Sequence, residues 1–233
     1  MKKQQKEINL DRLAYLIAFI YFIAILNFSL WIRKVGNYDI ETDFFWDYAV
    51  EARNILNGII NVGEFRGPGY PTIVALFSLI LGDFFKSGLV ISAISSMLVL
   101  VITFKLIRKI FDDKIAIAVS LTLIFNPTFL RYSYVCGTDM FFNLLVSLSI
   151  YLAVIGVLKN SPSLLFISGL AGGYSYLTRY NGISLLIALP AIVLIANVKN
   201  LKVGFLMIRR PPRFSRSLTL FPYTSLFRSR WSP

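Results

Sequence analysis

The 233-residue chain contains no histidine and a single cysteine, Cys136. A disulfide needs two cysteines, and the common zinc sites are built from cysteine and histidine ligands. Disulfide frameworks and Cys/His metal centres are therefore excluded within this sequence. Cys136 is expected to be chemically inert.

Charge is also scarce, because only 15% of the residues are charged while 56% are hydrophobic and the mean hydropathy is +0.67. A soluble domain of this size cannot bury so much apolar surface, so lipid must be the solvent for part of the chain. We predict an all-α membrane protein with about six transmembrane helices, because nearly uncharged runs approach the length that spans hydrocarbon. The six runs are Leu13–Ile32, Ser87–Thr103, Ile115–Leu130, Phe141–Leu158, Leu164–Thr178 and Gly182–Val198.

The first run follows four cations, as in a signal peptide, but it has no small-residue cleavage site. An uncleaved first span is therefore the better interpretation.

The net charge of +12 suggests nucleic-acid binding, but its distribution argues against it. Six of the 24 cations are arginines beyond Gly204, where no acid occurs. The other cations are spread over the predicted loops, as membrane topology requires, and they form no basic patch. We expect no nucleic-acid partner.

The tail Met207–Pro233 has no lysine or asparagine, and its Arg/Pro/Ser/Leu mixture has no period. It resembles the translated sequencing-adapter read-through found at the ends of metagenomic reading frames. We therefore expect residues 205–233 to be foreign and disordered, and residues 1–204 to be the N-terminal part of a longer protein. A basic, disordered cytoplasmic tail is the competing interpretation.

The topology depends on the apolar stretch Tyr70–Gly82. Thirteen helical residues reach about 20 Å, whereas the hydrocarbon is roughly 30 Å thick. If this stretch does not cross and the N-terminus is cytoplasmic, 11 cations of residues 1–204 lie inside and 7 outside. Crossing would reverse that ratio, against the retention of Lys and Arg on the cytoplasmic side. We predict a re-entrant or surface-lying helix on the outer side.

This topology places several charged residues on the outer face. They are Asp43, Asp47, Arg66, Asp139 and Arg179. We therefore expect them to converge on one site at the outer interface.

The stretch Glu41–Gly58 predicts a short outer helix that Thr42 or Asp43 can cap and Gly58 can end. Acids recur every four residues at Asp43, Asp47 and Glu51, which repel one another unless a cation or substrate offsets them. An interfacial helix with a solvated acidic face is the alternative.

These features occur in an order that resembles a known family. An outer-loop aspartate stands ahead of "YAVEARNILNG", and "FRGPGYP", "RKIFDDKIA", "FNPTFLRYSYVCGTDMFF" and "GLAGGYSYLTRYNG" follow. The chain resembles GT-C membrane glycosyltransferases that use polyprenyl-phosphate sugars, near the protein mannosyltransferase and lipid A aminoarabinose transferase branch. The resemblance covers about residues 10–200, and "FRGPGYP" and "LTRYNG" are its most specific parts.

The resemblance implies roles for individual residues. Asp43 would be the catalytic base, with Asp47 as its rival. Asp139 would be the second outer acid, and Arg66, Arg179 and Tyr70 would contact the donor phosphate.

The resemblance also implies a reaction and its partners. The base would deprotonate an acceptor hydroxyl as it attacks the anomeric carbon, and a single displacement would invert that carbon. An arginine would stabilise the departing phosphate. The resemblance establishes no cofactor; Mg²⁺ or Mn²⁺ bridging Asp139 and the phosphate is compatible with oxygen ligands, and metal dependence stays open. The sugar is undetermined, the acceptor can be protein, lipid or glycan, and the fragment alone is expected to be inactive.

Structural alternatives exist for several of these residues. Arg66 can reach lipid headgroups, and Asp139 can cap the following span. Asn126–Pro127 is expected to mark a kink without chemistry. A transporter or flippase fragment and a non-catalytic membrane scaffold are the rival functions; a transporter would place charges near mid-membrane, and these spans lack them.

Overall fold

The computed structural model describes residues 10–32, 41–61 and 67–197, and every element in these ranges is helical. Residues 205–233, predicted to be foreign, lie outside them. The elements are α1 (Leu10–Asn27) with a π-helical end (Phe28–Ile32), a π-helical turn (Phe44–Tyr48), α2 (Ala49–Leu56), α3 (Gly69–Leu81), α4 (Phe84–Ile110), α5 (Asp113–Ile124), α6 (Pro127–Tyr134), α7 (Thr138–Leu158), α8 (Pro162–Thr178), a 3-10 turn (Tyr180–Ser184) and α9 (Leu185–Asn197).

Three of these helical segments are long and apolar enough to cross a membrane: Leu10–Ile32, Phe84–Ile110 and Thr138–Leu158. The pair α5 and α6 forms a fourth crossing if it is one bent span. The all-α membrane fold is thus confirmed, but six spans are not. The predicted fifth and sixth spans correspond to α8, with 17 residues, and to the shorter α9.

The bend between α5 and α6 measures 63° and lies at the predicted kink. The Asn126 side chain accepts a hydrogen bond from the Phe129 amide at 2.9 Å, and Pro127 occupies the first turn of α6. A proline at this position starts a helix readily but cannot continue the preceding one. The Asn-Pro pair therefore ends α5 and restarts the chain in a new direction.

Helix α3 has 13 residues and ends at Gly82, whose φ of 68° is left-handed. Phe44 lies close to the start of α3 and to the start of α4: its ring lies 6.3 Å from that of Tyr70 and 5.7 Å from that of Phe85. Because α4 begins three residues after α3 ends, both ends of α3 are tied to the neighbourhood of the same loop residue. The helix begins and ends near one end of the bundle, as the prediction of a non-crossing segment requires.

The opposite end of the bundle is held by charge. The guanidinium of Arg108, near the end of α4, binds the carboxylates of Asp11 on α1 and Asp113 on α5. One cation thus joins three helices where their polar ends meet water.

Helix α4 is the centre of the bundle and packs against α1, α3, α5 and α7. Helices α7 and α8 are joined by two reciprocal bonds: the hydroxyl of Ser149 donates to the Ser168 carbonyl and that of Ser168 to the Ser149 carbonyl, both at 2.8 Å. Such side chains allow close helix approach in lipid, where hydrocarbon supplies no hydrophobic drive between helices.

The closest approach in the core occurs at Gly88 of α4. A Cβ placed there would overlap the Cys136 sulfur and lie 2.9 Å from the Phe44 ring. Both neighbours are buried, so neither can yield without displacing the outer loop or the turn before α7.

We expect Gly88→Ala to destabilise the fold by about 1–3 kcal/mol, the usual cost of overpacking. Gly169→Ala is the matched control, because a Cβ there meets nothing within 4 Å. Thermal unfolding of the detergent-solubilised protein measures both. Equal melting temperatures for the two variants would contradict the packing described here.

Candidate functional site

At the end of the bundle where the loop segment 41–61 packs, an ion pair joins the ends of two helices. Arg179 is the C-cap of α8, and its guanidinium binds the carboxylate of Asp139 in the first turn of α7. It also donates to the Thr138 hydroxyl at 3.2 Å. The Arg179 and Asp139 side chains are 35% and 33% exposed, so both can be reached from outside.

Asp139 is not the N-cap of α7, contrary to one interpretation of the sequence, because Gly137 occupies that position. Asp139 lies two residues further along, in the first turn, where a negative charge suits the helix dipole. Its carboxylate turns to Arg179.

Tyr48 connects this pair to the loop segment formed by residues 41–61. Its hydroxyl hydrogen-bonds with Thr138, and the charges of Arg179, Asp43 and Asp139 all act on it. Burial raises the pKa of Tyr48 above its ordinary value; Thr138 and Arg179 oppose this rise, and the two carboxylates add to it. The phenol therefore stays protonated at neutral pH and can donate a hydrogen bond.

The structure thus pairs Asp139 with Arg179 near Tyr48, and Asp43 lies within electrostatic range of the same tyrosine. Asp43 is exposed and precedes the π-helical turn, where its side chain makes no capping bond. Its carboxylate is therefore not committed to that cap, contrary to one sequence interpretation. Asp47 is half-buried within the same turn.

The two remaining predicted residues are Arg66 and Tyr70. Arg66 lies outside the described residues. Tyr70 is fully buried, with its ring 5.4 Å from Tyr48, and its hydroxyl lies beside Cys136 and Gly137 without reaching hydrogen-bonding geometry to any described residue. Tyr70 therefore forms the layer beneath Tyr48.

The two most specific motifs meet in space, which explains the two glycines of "GPG". A Cβ on Gly67 would overlap the Leu177 carbonyl oxygen, and one on Gly69 would lie 2.8 Å from the Leu177 carbonyl carbon. The Tyr174 hydroxyl donates to the Gly69 carbonyl at 2.9 Å. "GPG" can thus pack directly on the backbone that leads into Arg179.

An apolar groove of about 780 Å³ opens along α8 and α9. Its lining includes Gly169 and Gly173 along α8 and Leu186 and Leu194 on α9, with Tyr176 and Gly182 close to Arg179 in the chain. The groove therefore extends from the neighbourhood of the charged cluster along helices with a strongly apolar surface.

The metal prediction can be compared with the donor set. Within the described residues, no three acidic, cysteine or histidine side chains gather as a metal site would require. Asp139 already binds a guanidinium, so Arg179 supplies the positive charge beside it. Mg²⁺ sites often combine one or two carboxylates with substrate phosphates, so a bridging metal stays a prediction.

Sequence reasoning missed three residues here. The sequence patterns assign no role to Tyr48, Thr138 or Glu41. Glu41 is fully buried and accepts a hydrogen bond from the Cys136 amide at 2.9 Å. A signal existed for Thr138, which directly precedes Asp139, but a buried glutamate beside exposed acids leaves no trace in the pattern.

These features define an integral membrane protein with a polar cluster at one end of its helices and an adjoining apolar groove. The family model described as dolichyl-phosphate-mannose-protein mannosyltransferase matches residues 66–207, more than half of the chain. The chain belongs to this family of membrane glycosyltransferases, as its motifs predicted. No curated protein and no solved structure matches it.

Proposed function

We propose that the protein transfers a sugar from a polyprenyl-phosphate donor to an acceptor hydroxyl at the outer face of the membrane. The carrying observation is the half-exposed Arg179–Asp139 pair near Tyr48, on which Asp43 also acts, together with the apolar groove along α8 and α9. A lipid-phosphate sugar needs both environments at once, a cation for the phosphate and a greasy surface for the tail.

Arg179 is the proposed phosphate ligand. A guanidinium binds phosphate through charge-assisted, fork-like hydrogen bonds that strengthen as the leaving group gains charge. Asp139 and Thr138 bind this guanidinium, and 35% of the Arg179 side chain stays exposed. Arg66 is a second proposed ligand; Tyr70 would reach a phosphate only if the donor entered beneath Tyr48, because Tyr70 is fully buried.

Asp43 is the proposed base. It is exposed and acts electrostatically on Tyr48, the residue on which the charges of Arg179 and Asp139 also act. Removing the acceptor proton during attack on the anomeric carbon would invert the configuration in one displacement. Tyr48, which keeps its proton, can donate to a sugar or phosphate oxygen. Asp47 is the alternative base.

The family description names dolichyl-phosphate-mannose and protein. By extension we propose a polyprenyl-phosphate hexose or pentose as donor and a protein hydroxyl as the first acceptor to test, with lipid and glycan acceptors as the alternatives. The rival transporter function receives less support, because the clustered charges lie at helix ends, whereas transport sites lie near mid-membrane.

We expect Asp43→Asn to lower kcat by about 10²- to 10⁴-fold, because the amide cannot accept the acceptor proton. The assay is sugar transfer from a radiolabelled polyprenyl-phosphate sugar in membranes that express the complete reading frame. Asp47→Asn is the matched control and should stay close to wild type. Unchanged turnover in Asp43→Asn removes this residue from the mechanism, and loss in Asp47→Asn alone assigns the base there.

The outer location of the site has a separate test. Asn57→Cys lies after α2 and Lys114→Cys at the start of α5, and both positions are exposed. On intact cells an impermeant maleimide should label Asn57→Cys only, and the unaltered chain, whose one cysteine is buried, is the control. Labelling of Lys114→Cys from outside would show that the topology is the reverse of the proposed one.

The groove predicts a dependence on donor chain length. Gly173→Leu should raise the KM of a long-chain donor several-fold and affect a short-chain analogue less, because leucine fills the groove. A Cβ there meets nothing within 4 Å, so the fold should tolerate the change. Ser163→Leu, on an exposed part of α8 away from the groove lining, is the matched control. Equal KM changes for both donors would show that the groove does not bind the lipid tail.

A further inference from the structure

Glu41 is a charged residue type in a place that water does not reach. Its side chain is fully buried, although it lies at the start of an outer loop segment whose next two residues are exposed. A buried carboxylate costs free energy unless hydrogen bonds replace its hydration. Its bonding partner is therefore informative.

That partner lies 95 residues away in the chain. The backbone N–H of Cys136 donates to Glu41 Oε1 at 2.9 Å. Asp43 follows Glu41 by two residues, and Asp139 follows Cys136 by three. The bond thus joins the two segments that carry the carboxylates of the candidate site.

The segment around Cys136 is also held from the side of α4. The Ser92 hydroxyl donates to the Val135 carbonyl at 2.7 Å, and the Cys136 thiol contacts the Phe85 carbonyl at 3.7 Å. Gly88 leaves the space that the thiol occupies. With α4 on one side and Glu41 on the other, this segment links the outer loop to the core.

We propose that Glu41 is a positioning residue that sets the distance between Asp43 and the Asp139–Arg179 pair. This inference rests on the proposed function. Glu41 is too deeply buried to touch a substrate, so it acts through the backbone of Cys136. The required property is its hydrogen-bond acceptor, which a glutamine also carries.

Two variants separate the acceptor from the charge. Glu41→Gln keeps an oxygen at nearly the same place, whereas Glu41→Ala removes it. We expect Glu41→Ala to lower kcat by about 10- to 100-fold, as displaced catalytic groups do. The donor KM should stay nearly unchanged, because Arg179 and the groove are intact. Glu41→Gln should restore kcat to near the wild-type value. If Glu41→Ala does not accumulate in the membrane, Glu41→Asp replaces it. The side chain of aspartate is shorter by one methylene, which moves the carboxylate away from the Cys136 amide.

Cys136 provides a readout that needs no activity. It is the one cysteine of the 233-residue chain, and it is buried. N-ethylmaleimide should modify it slowly in the unaltered chain and in Glu41→Gln, and faster in Glu41→Ala, where its segment has lost a tether. Peptide mass analysis quantifies the modification, and circular dichroism checks that helix content is unchanged.

The outcomes distinguish this inference from the proposed function. An active wild type with an equally active Glu41→Ala overturns the inference alone, as does an equal loss in Glu41→Ala and Glu41→Gln, which would make the charge the essential property. A wild type without transfer activity overturns the proposed function. In that case the inferred tether is still judged by Cys136, and equal modification rates in all variants reject it.

Discussion

A helix of 13 residues cannot cross roughly 30 Å of hydrocarbon, and the arrangement of this protein depends on that shortfall. Because α3 begins and ends near one end of the bundle, the loop before it and the starts of α4 and α7 share that end. Had α3 crossed, the aspartate of the outer loop and the arginine after α8 would have been separated by the membrane. A single short helix therefore decides whether a site can exist.

Within that end, close backbone contact matters more than ion pairing for stability. A half-exposed pair such as Arg179–Asp139 contributes about 0.2–1 kcal/mol. The glycines of "GPG" bring one chain segment directly onto the backbone of Leu177, and Gly88 makes room for Cys136. These contacts hold the helix ends in place, so the charged pair is free to serve chemistry with little effect on the fold.

The predicted features that the structure confirms are local ones. The Asn126–Pro127 kink and the left-handed Gly58 at the helix stop follow from backbone chemistry that acts within one turn. The predicted count of six spans is not confirmed, because hydrophobic runs do not report where a helix starts or bends. The α8 run, for example, forms a helix of 17 residues that ends at Thr178.

The sequence by itself determined that the protein lies in a membrane, that it is helical and to which family it belongs. Apolar run length and short motifs are properties of neighbouring residues. It also predicted that Asp43, Asp139 and Arg179 share one face of the membrane. Only the tertiary structure decided which groups touch: Arg179 with Asp139, Tyr48 with Thr138, and Glu41 with Cys136. These partners are 40 to 95 residues apart in the chain, and no local pattern records such distances.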